Sequence, residues 1–436
     1  MTARVGPPSI LGLAVPALFV LAAEPLYLLV DTAVVGHLGT VPLGGLAVGG
    51  GLLAWAAALL NFLAYGTTAR AARRAGAGDR AGAVAEGVQA TWLALGLGLA
   101  VLLLFQLLAG PLTRLLAGGP GAVAAAGEQW LRIAGLGAPL LLISLAGNGW
   151  LRGVQELRRP VRYVLAGSLL SLVLCPLLVY PAGMGLVGSA VANVAGQALT
   201  AGLFVRALLR EDADWRPRPV AVVGQLVIGR DLLLRAAVLQ VSFLVAAGVA
   251  ARAGTASLGA HQIALQLFFF LALVLDAYAI AAQTLVGHAL GGNRPAEARA
   301  TARRVAAWGL GTGLLVAALL LVLRDLLLPL FTGDPAVLAQ AEVVWWFLAA
   351  MQPLAGVVFA LDGVLMGAGD VGYLRTLTIG SAVAGFLPLS LLAAPLGWGL
   401  AGIWTGLCLF IALRLVGDLV RVAGERWLTA PETVGT

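Results

Sequence analysis

Two segments, Asn148-Gly-Trp-Leu-Arg-Gly-Val-Gln-Glu156 and Asp362-Gly-Val-Leu-Met-Gly-Ala-Gly-Asp370, decide the fold of this chain of 436 residues. Both begin with Asn or Asp, continue as Gly-x-Leu-x-Gly and end on an acid, about 215 residues apart. Further pairs recur at the same spacing: Gly39-Thr-x-x-Leu-Gly44 with Gly254-Thr-x-x-Leu-Gly259, and Gly185-Leu-x-Gly188 with Gly399-Leu-x-Gly402. The second half of the sequence therefore repeats the first.

The composition places this duplication in a membrane. Hydrophobic residues make up 61% of the chain and charged residues 11%, against roughly 45–50% and about 25% in soluble domains. These values exclude a soluble enzyme or a nucleic-acid binder. All 27 basic residues are Arg, and without Lys the chain has no Gly-x-x-x-x-Gly-Lys phosphate loop. Cys175 and Cys408 lie in apolar runs and are predicted to be core residues.

The apolar runs can be counted as helices, because a membrane helix needs about 20 largely apolar residues. Two uncharged runs, 163–205 and 376–413, are too long for one crossing, and each contains a Pro- and Gly-rich turn. Twelve spans are predicted, at 9–34, 43–66, 87–110, 130–151, 161–180, 184–207, 232–252, 257–287, 305–328, 343–367, 374–394 and 398–422. The predicted fold class is an all-α polytopic membrane protein.

The arginines predict the orientation. All but four of the 27 fall on one side of the predicted membrane, the exceptions being Arg114, Arg132, Arg252 and Arg324. This bias places both termini in the cytoplasm, in a multi-pass protein of the inner or plasma membrane. The first span has no cleavage site after a short apolar core, so we expect it to be retained as a helix.

The repeat predicts the domain organisation. Each half has an even number of crossings, so the two six-helix repeats are parallel and surround a central cavity about which they can rock. We predict an N-terminal lobe at 1–210, a cytoplasmic linker at 211–231 and a C-terminal lobe at 232–436. The sequence has no His-Glu-x-x-His, Gly-x-Ser-x-Gly or Cys-x-x-Cys motif, so we predict neither an enzyme nor an organic cofactor or bound metal.

Four acids lie inside the predicted spans: Glu24, Asp31, Asp276 and Asp362. An Asp at a helix centre costs about 2.5–3.5 kcal/mol to insert, and such residues usually face water or an ion pathway. Glu24 and Asp31 are separated by two helical turns and are expected on one face. Pro16 and Pro25 in the same helix free backbone carbonyls, which favours a kink or cation coordination.

The acids of the second half replace amides of the first. Asp276 and Asp362 correspond to Asn61 and Asn148 in the repeat, so both repeats keep a polar group at these places. We predict that Asn61 and Asn148 line the cavity and that Asp276 and Asp362 form a second proton- or cation-binding site in the other lobe. Asp418 follows Arg414 by four residues, which predicts an ion pair. For His37, His261 and His288, near helix ends, we predict interfacial or hydrogen-bonded positions.

These acids suggest a chemistry. A carboxylate that holds either a proton or a cationic substrate is the minimal requirement for an antiporter, and the aromatic residues of several helices favour organic cations. A membrane scaffold is the alternative, and it would tolerate neutralisation of the four acids.

Several motifs resemble the MATE (multidrug and toxic compound extrusion) family, in particular its DinF-like branch. They are Pro25-Leu-x-x-Leu-Val-Asp31-Thr-Ala-x-x-Gly-His-Leu38, Ala260-His-Gln-Ile-Ala264, Leu361-Asp-Gly-x-x-x-Gly-Ala368 and Arg230-Asp-Leu-Leu-Leu-Arg235. The resemblance covers essentially the whole chain. It implies two six-helix lobes and export of lipophilic, usually cationic compounds in exchange for protons or sodium.

The resemblance also implies a first-lobe cation site. The family's first-helix Asp falls on Asp31 and its kink proline on Pro16, whereas the Asn, Asp and Thr of helices five and six fall on Ser171, Cys175 and Asn193. Cys175 removes one charge from that site and argues against sodium there. We hypothesise that Glu24 supplies the second carboxylate, and Asp276 and Asp362 match acidic positions of the family.

The sequence thus predicts a monomeric, proton-coupled antiporter of small organic cations in the lipid bilayer, with sodium at Asp31 as the alternative coupling ion. A lipid-linked sugar flippase of the same superfamily is a second alternative. Its cavity would be lined by Arg, whereas the arginines here are predicted in cytoplasmic loops.

Overall fold

The computed structural model describes residues 10–429, without the side chains of 219–223, and the regular elements in that range are all helical. Twelve helices are long and apolar enough to cross a membrane, which confirms the predicted fold class. They are α1 Ile10–Gly36, α2 Thr40–Gly76, α3 Arg80–Leu116, α4 Ala122–Gly153, α5 Arg158–Val179, α6 Leu186–Leu209, α7 Pro219–Arg252, α8 Thr255–Gly291, α9 Pro295–Val322, α10 Pro335–Gly367, α11 Val371–Ala393 and α12 Gly399–Ala423. A short helix, Arg324–Phe331, follows α9 where the ninth predicted span continued to residue 328.

Three of the helices change geometry within their length. Asn61 separates the two segments of α2, a 3₁₀ turn at Gly135–Gly137 divides α4, and a π-helical turn at Ala382–Phe386 divides α11. Their counterparts in the other repeat, α8, α10 and α5, are continuous. α1 also runs without a break through Pro16 and Pro25. The repeat therefore preserves the order of helices but not their local irregularities.

Glycines at equivalent helix crossings show why the two repeats pack alike. A Cβ added to Gly149 would lie 2.4 Å from the carbonyl oxygen of Ala64, and one added to Gly363 would lie 2.2 Å from that of Ala279. Such contacts allow helix backbones to approach closely, as small residues do in membrane bundles. The shared Gly-x-Leu-x-Gly pattern thus fixes the contact of α4 with α2 and of α10 with α8.

The described residues divide into two compact units, Val15–Gly229 and a second that begins at Arg230 and includes the start of α1. The predicted linker at 211–231 is extended only at 212–218, because α7 begins at Pro219. The extended part is held by its own unit: Gln89 Nε2 donates to the Arg216 carbonyl at 2.9 Å, and Trp92 Nε1 to the Trp215 carbonyl at 2.8 Å.

Asp214 is one of the two exposed acids of this segment, with Asp212. The backbone N–H of Arg216 donates to its carboxylate at 3.0 Å, and this bond, with the nearby Arg218, lowers the pKa of Asp214 below its usual range.

Candidate proton and cation sites

Asp31 lies five residues before the end of α1 and is 1% exposed. The thiol of Cys175 in α5 donates to Asp31 Oδ1 at 3.1 Å. The hydroxyl of Ser189 in α6 faces the same carboxylate and interacts with it, although no hydrogen bond reaches Oδ2. No ion pair to Asp31 is formed by the described residues, so its charge is balanced only by weak dipoles.

Aromatic side chains complete this first-lobe site. Trp130 Nε1 in α4 donates to Ser189 Oγ at 3.2 Å, which leaves the Ser189 hydroxyl proton available to Asp31. Tyr27, one turn before Asp31, is 6% exposed, and its hydroxyl interacts electrostatically with Asp31 without a close hydrogen bond. The Tyr180 hydroxyl donates to the Val34 carbonyl at 2.7 Å and joins the end of α1 to the end of α5.

The sequence did not predict a role for Tyr27, Trp130 and Ser189, because nothing in their local pattern distinguishes them from core residues.

Of the three residues that the resemblance implied around Asp31, only Cys175 bonds to it. Ser171 donates to the Ala192 carbonyl at 3.0 Å, and Asn193 accepts from Gln197 at 2.8 Å. Glu24 is exposed on α1 and makes no hydrogen bond or ion pair within the part of the chain that is described. Asp31 and Glu24 therefore lie in different environments although their spacing puts them on one face, and the role of Glu24 stays a prediction.

The two amides of the first lobe also differ. Asn148 in α4 is 6% exposed, and its Oδ1 has no hydrogen-bond partner, whereas Asn61 is half-buried at the break in α2. Their counterpart acids differ too, since Asp276 is half-buried within α8 and Asp362 is buried in α10.

Asp362 belongs to a cluster of charges in the second lobe. Arg235 of α7 and Arg414 of α12 both donate to Asp362 Oδ2. Arg414 is 3% exposed and Asp418 is 0% exposed. The predicted pairing of Arg414 with Asp418 is wrong, because Arg414 is directed to Asp362 and neither oxygen of Asp418 has a hydrogen-bond partner.

Two neighbouring ion pairs extend this charged region, and both were missed from the sequence. Asp231 accepts from Arg375 at 2.7 Å, and Asp370 accepts from Arg421 at 2.6 Å. Each pair joins residues far apart in sequence, so no local spacing could have revealed it.

Two other expectations need correction. Arg152, Arg235 and Arg414, which were assigned to cytoplasmic loops and the tail, lie inside helices, and Arg152 is 4% exposed. His261 was predicted to be interfacial or hydrogen-bonded, but it is 2% exposed, packs edge-on against Trp404 and has no partner for either ring nitrogen.

Within residues 10–429, no three His, Cys, Asp or Glu side chains lie close enough together to hold a metal ion.

An internally repeated bundle of twelve membrane-length helices, with a buried acid in each half, has the features of a secondary transporter. The MatE family model matches residues 16–177 and 232–390. DNA damage-inducible protein F of Escherichia coli is 32% identical over 92% of this chain and 89% of its own length. Protein DETOXIFICATION 44, chloroplastic, of Arabidopsis thaliana is 34% identical over 95% of this chain and 81% of its own length.

A crystal structure of a MATE protein in a bent conformation shares the fold, with a TM-score of 0.88 at 22% identity over 95% of each chain. The chain belongs to the MATE family, as the sequence motifs predicted, and the members of that family are transporters and not enzymes.

Proposed function

We propose that this protein exports lipophilic organic cations across the cell membrane in exchange for protons, by alternating access between its two lobes. The observation that carries the proposal is the state of Asp31. It is 1% exposed, it receives one thiol hydrogen bond, and no basic side chain of the described residues pairs with it. A buried carboxylate without a counter-charge is stabilised by either a proton or a cationic ligand, and the two compete for it.

The surroundings of Asp31 favour protons over sodium. Sodium, like other hard cations, is bound by several oxygen ligands, and a thiol is a soft donor. Cys175 directs its Sγ at Asp31 Oδ1, and the aromatic residue Tyr27, one turn earlier on α1, interacts with the same carboxylate. An aromatic ring beside a carboxylate suits an organic cation, since the ring attracts positive charge through its face. Each pH unit of gradient then supplies about 1.4 kcal/mol per proton, and 100 mV about 2.3 kcal/mol per net charge.

The proposal is tested with the full chain in proteoliposomes loaded with ethidium, a fluorescent organic cation. A pH gradient is imposed in one arm and a sodium gradient in the other. We expect efflux in the first arm only, and a loss of about tenfold or more in Asp31→Asn, since removal of a group that acts only in the coupled step costs at least about 1.4 kcal/mol. Asp31→Glu keeps the acid and should retain part of the efflux.

The matched control is Asp325→Asn, which also removes one acid but at an exposed position of the short helix after α9. It should transport like the wild type. Efflux in neither arm would contradict antiport, and efflux driven by sodium alone would replace the proton by sodium.

Two further variants examine the first-lobe site. If Glu24 supplies a second carboxylate, Glu24→Gln changes the pH dependence of efflux, and an unchanged profile would contradict that role. Cys175→Asp adds an oxygen-bearing acid beside Asp31, and we expect it to make efflux respond to the sodium gradient.

A further inference from the structure

The second lobe contains a buried acid that the proposed exchange at Asp31 does not use. Asp418 lies on α12, one helical turn after Arg414, and is 0% exposed. Arg414 and Arg235 both pair with Asp362, so Asp362 already has two counter-charges. Asp418 lies beside this arrangement without taking part in its hydrogen bonds.

The hydrogen-bond inventory of the cluster is incomplete in a specific way. Asp418 Oδ1, Asp418 Oδ2 and Asp362 Oδ1 are buried acceptors without donors, and Arg414 Nε is a buried donor without an acceptor. Buried polar atoms in native proteins are nearly always paired, and an ionised carboxylate without hydrogen bonds costs far more to bury than a neutral carboxyl group. Arg414 Nε and the two Asp418 oxygens lie on neighbouring turns of α12, so a second pairing of Arg414, with Asp418, is within reach.

The charged and titratable groups that interact with Asp418 come from three other helices and from α12 itself. Asp362 of α10 repels its negative charge, Arg235 of α7 attracts it together with Arg414, and Tyr373 of α11 also interacts with it. Tyr373 is covered by Arg421, whose guanidinium lies 4.7 Å from the ring centroid. Both Arg235 and Arg414 keep their charge at any physiological pH, so they repel a metal cation and leave a proton as the cation that Asp418 can bind.

We propose that Asp418 is a proton-binding carboxylate of the second lobe, and that its proton determines whether Arg414 pairs with Asp362 alone or also with Asp418. The protonated carboxyl group is neutral and leaves Arg414 on Asp362, as observed. When the O–H bond breaks, the proton passes to water and the new carboxylate accepts a hydrogen bond from Arg414 Nε, while Arg235 remains on Asp362. Proton binding at Asp418 stands by itself, whereas its contribution to coupling rests on the proposed antiport.

Infrared difference spectroscopy of the purified full-length protein tests proton binding without any transport. Between mildly acidic and alkaline buffer, a protonated carboxyl group without hydrogen bonds loses its high-frequency C=O stretching band and gains a carboxylate band. We expect this signal in the wild type and in the matched control Asp325→Asn, and a smaller signal in Asp418→Asn, in which the contribution of Asp418 is lost and that of Asp31 remains. Asp418→Glu, which restores an acid at the same place, should retain it at a shifted frequency and also serves if Asp418→Asn does not fold.

A signal that persists undiminished in folded Asp418→Asn, or is absent from both the wild type and Asp418→Glu, would overturn the proposal. The transport arm uses ethidium efflux under a graded pH gradient, in which we expect a shallower dependence on the gradient for Asp418→Asn than for Asp325→Asn. If the wild type shows no efflux but retains the Asp418 band, proton binding stands and the antiport proposal fails. If efflux is normal but the band does not depend on Asp418, the opposite holds.

Discussion

The two lobes share a helix pattern but place their polar groups at different positions in the repeat. In the first lobe the acid is Asp31, with Ser189 facing it, whereas the corresponding residues of the second lobe are Ala246 and Ile403, both buried and apolar. Each lobe has thus filled the same internal position with different chemistry.

The charged cluster of the second lobe, in turn, has no charged counterpart at the equivalent positions of the first lobe. Arg414 and Asp418 of the second lobe correspond to Thr200 and Phe204 of the first. There Phe204 is 2% exposed and packs edge-on against Tyr163, and Thr200 donates to the Gly196 carbonyl at 3.0 Å. The packing is shared, but the two copies differ in polar groups at these positions, so the uncompensated Asp31 and the Arg-compensated Asp362 can take different roles.

Replacement of a buried Asp by Asn should therefore affect stability in the second lobe and transport in the first. Asp362→Asn leaves Arg235 and Arg414 buried without their shared counter-charge, and we expect a loss of about 3–5 kcal/mol in stability. Asp31→Asn removes an acid that has no ionic partner in the described chain, so it should leave stability nearly unchanged while it lowers efflux about tenfold or more. Thermal unfolding of both purified variants checks this contrast, and equal melting temperatures would contradict it.

Because the two lobes pack alike, replacing equivalent glycines should destabilise both lobes by the same amount. Gly149→Ala and Gly363→Ala each bring a Cβ within 2.4 Å of a helix carbonyl oxygen, and overpacking of this kind costs about 1–3 kcal/mol. Gly96→Ala and Gly311→Ala are matched controls in open helical positions and should stabilise by up to about 1 kcal/mol. Melting temperatures measure all four, and sensitivity in only one lobe would disprove equivalent packing.

A smaller effect is expected at the thiol beside Asp31. Cys175→Ala removes the hydrogen bond to Oδ1, which should cost about 1 kcal/mol or less in stability, and Cys175→Ser should restore it. Denaturation of the two variants in detergent measures the difference. If Cys175→Ala were as damaging as Asp362→Asn, the first-lobe site would depend on the thiol far more than its weak donor character allows.

The smallest effect is expected at the exposed acid Asp214. Its lowered pKa means that the bond with Arg216 is fully present above the ordinary Asp value of about 4 and is lost only as the pH falls below it. The charge of this segment is therefore constant across neutral pH. The pH profile of efflux for Asp214→Asn should superimpose on that of the wild type, and a shifted profile would implicate the linker in proton coupling.

Much of this molecule was predictable because the membrane imposes strict local rules. The twelve spans follow from the requirement for about 20 apolar residues per crossing, whatever their neighbours. The Gly-x-Leu-x-Gly pattern identified the duplication, because the same spacing of small residues recurs about 215 positions later. The acids at Asp31 and Asp362 were conspicuous because charge is so rare in an apolar helix.

The partners of those acids were not predictable. Arg414 lies four residues from Asp418, yet its guanidinium pairs with Asp362 of α10, and this contact depends on how α10 and α12 pack and not on spacing within α12. Trp130 and Ser189 meet near Asp31 only because three helices pack together.

The sequence by itself determined where the chain crosses the membrane, that the crossings repeat, and which residues carry charge into the apolar region, since each of these depends on composition along a single helix. Only the tertiary structure decided which acid is compensated and which is left without a counter-charge. That distinction depends on the directions of side chains from several helices, and in a low-dielectric interior those directions control whether a carboxylate is held as an ion pair or is left to bind a proton.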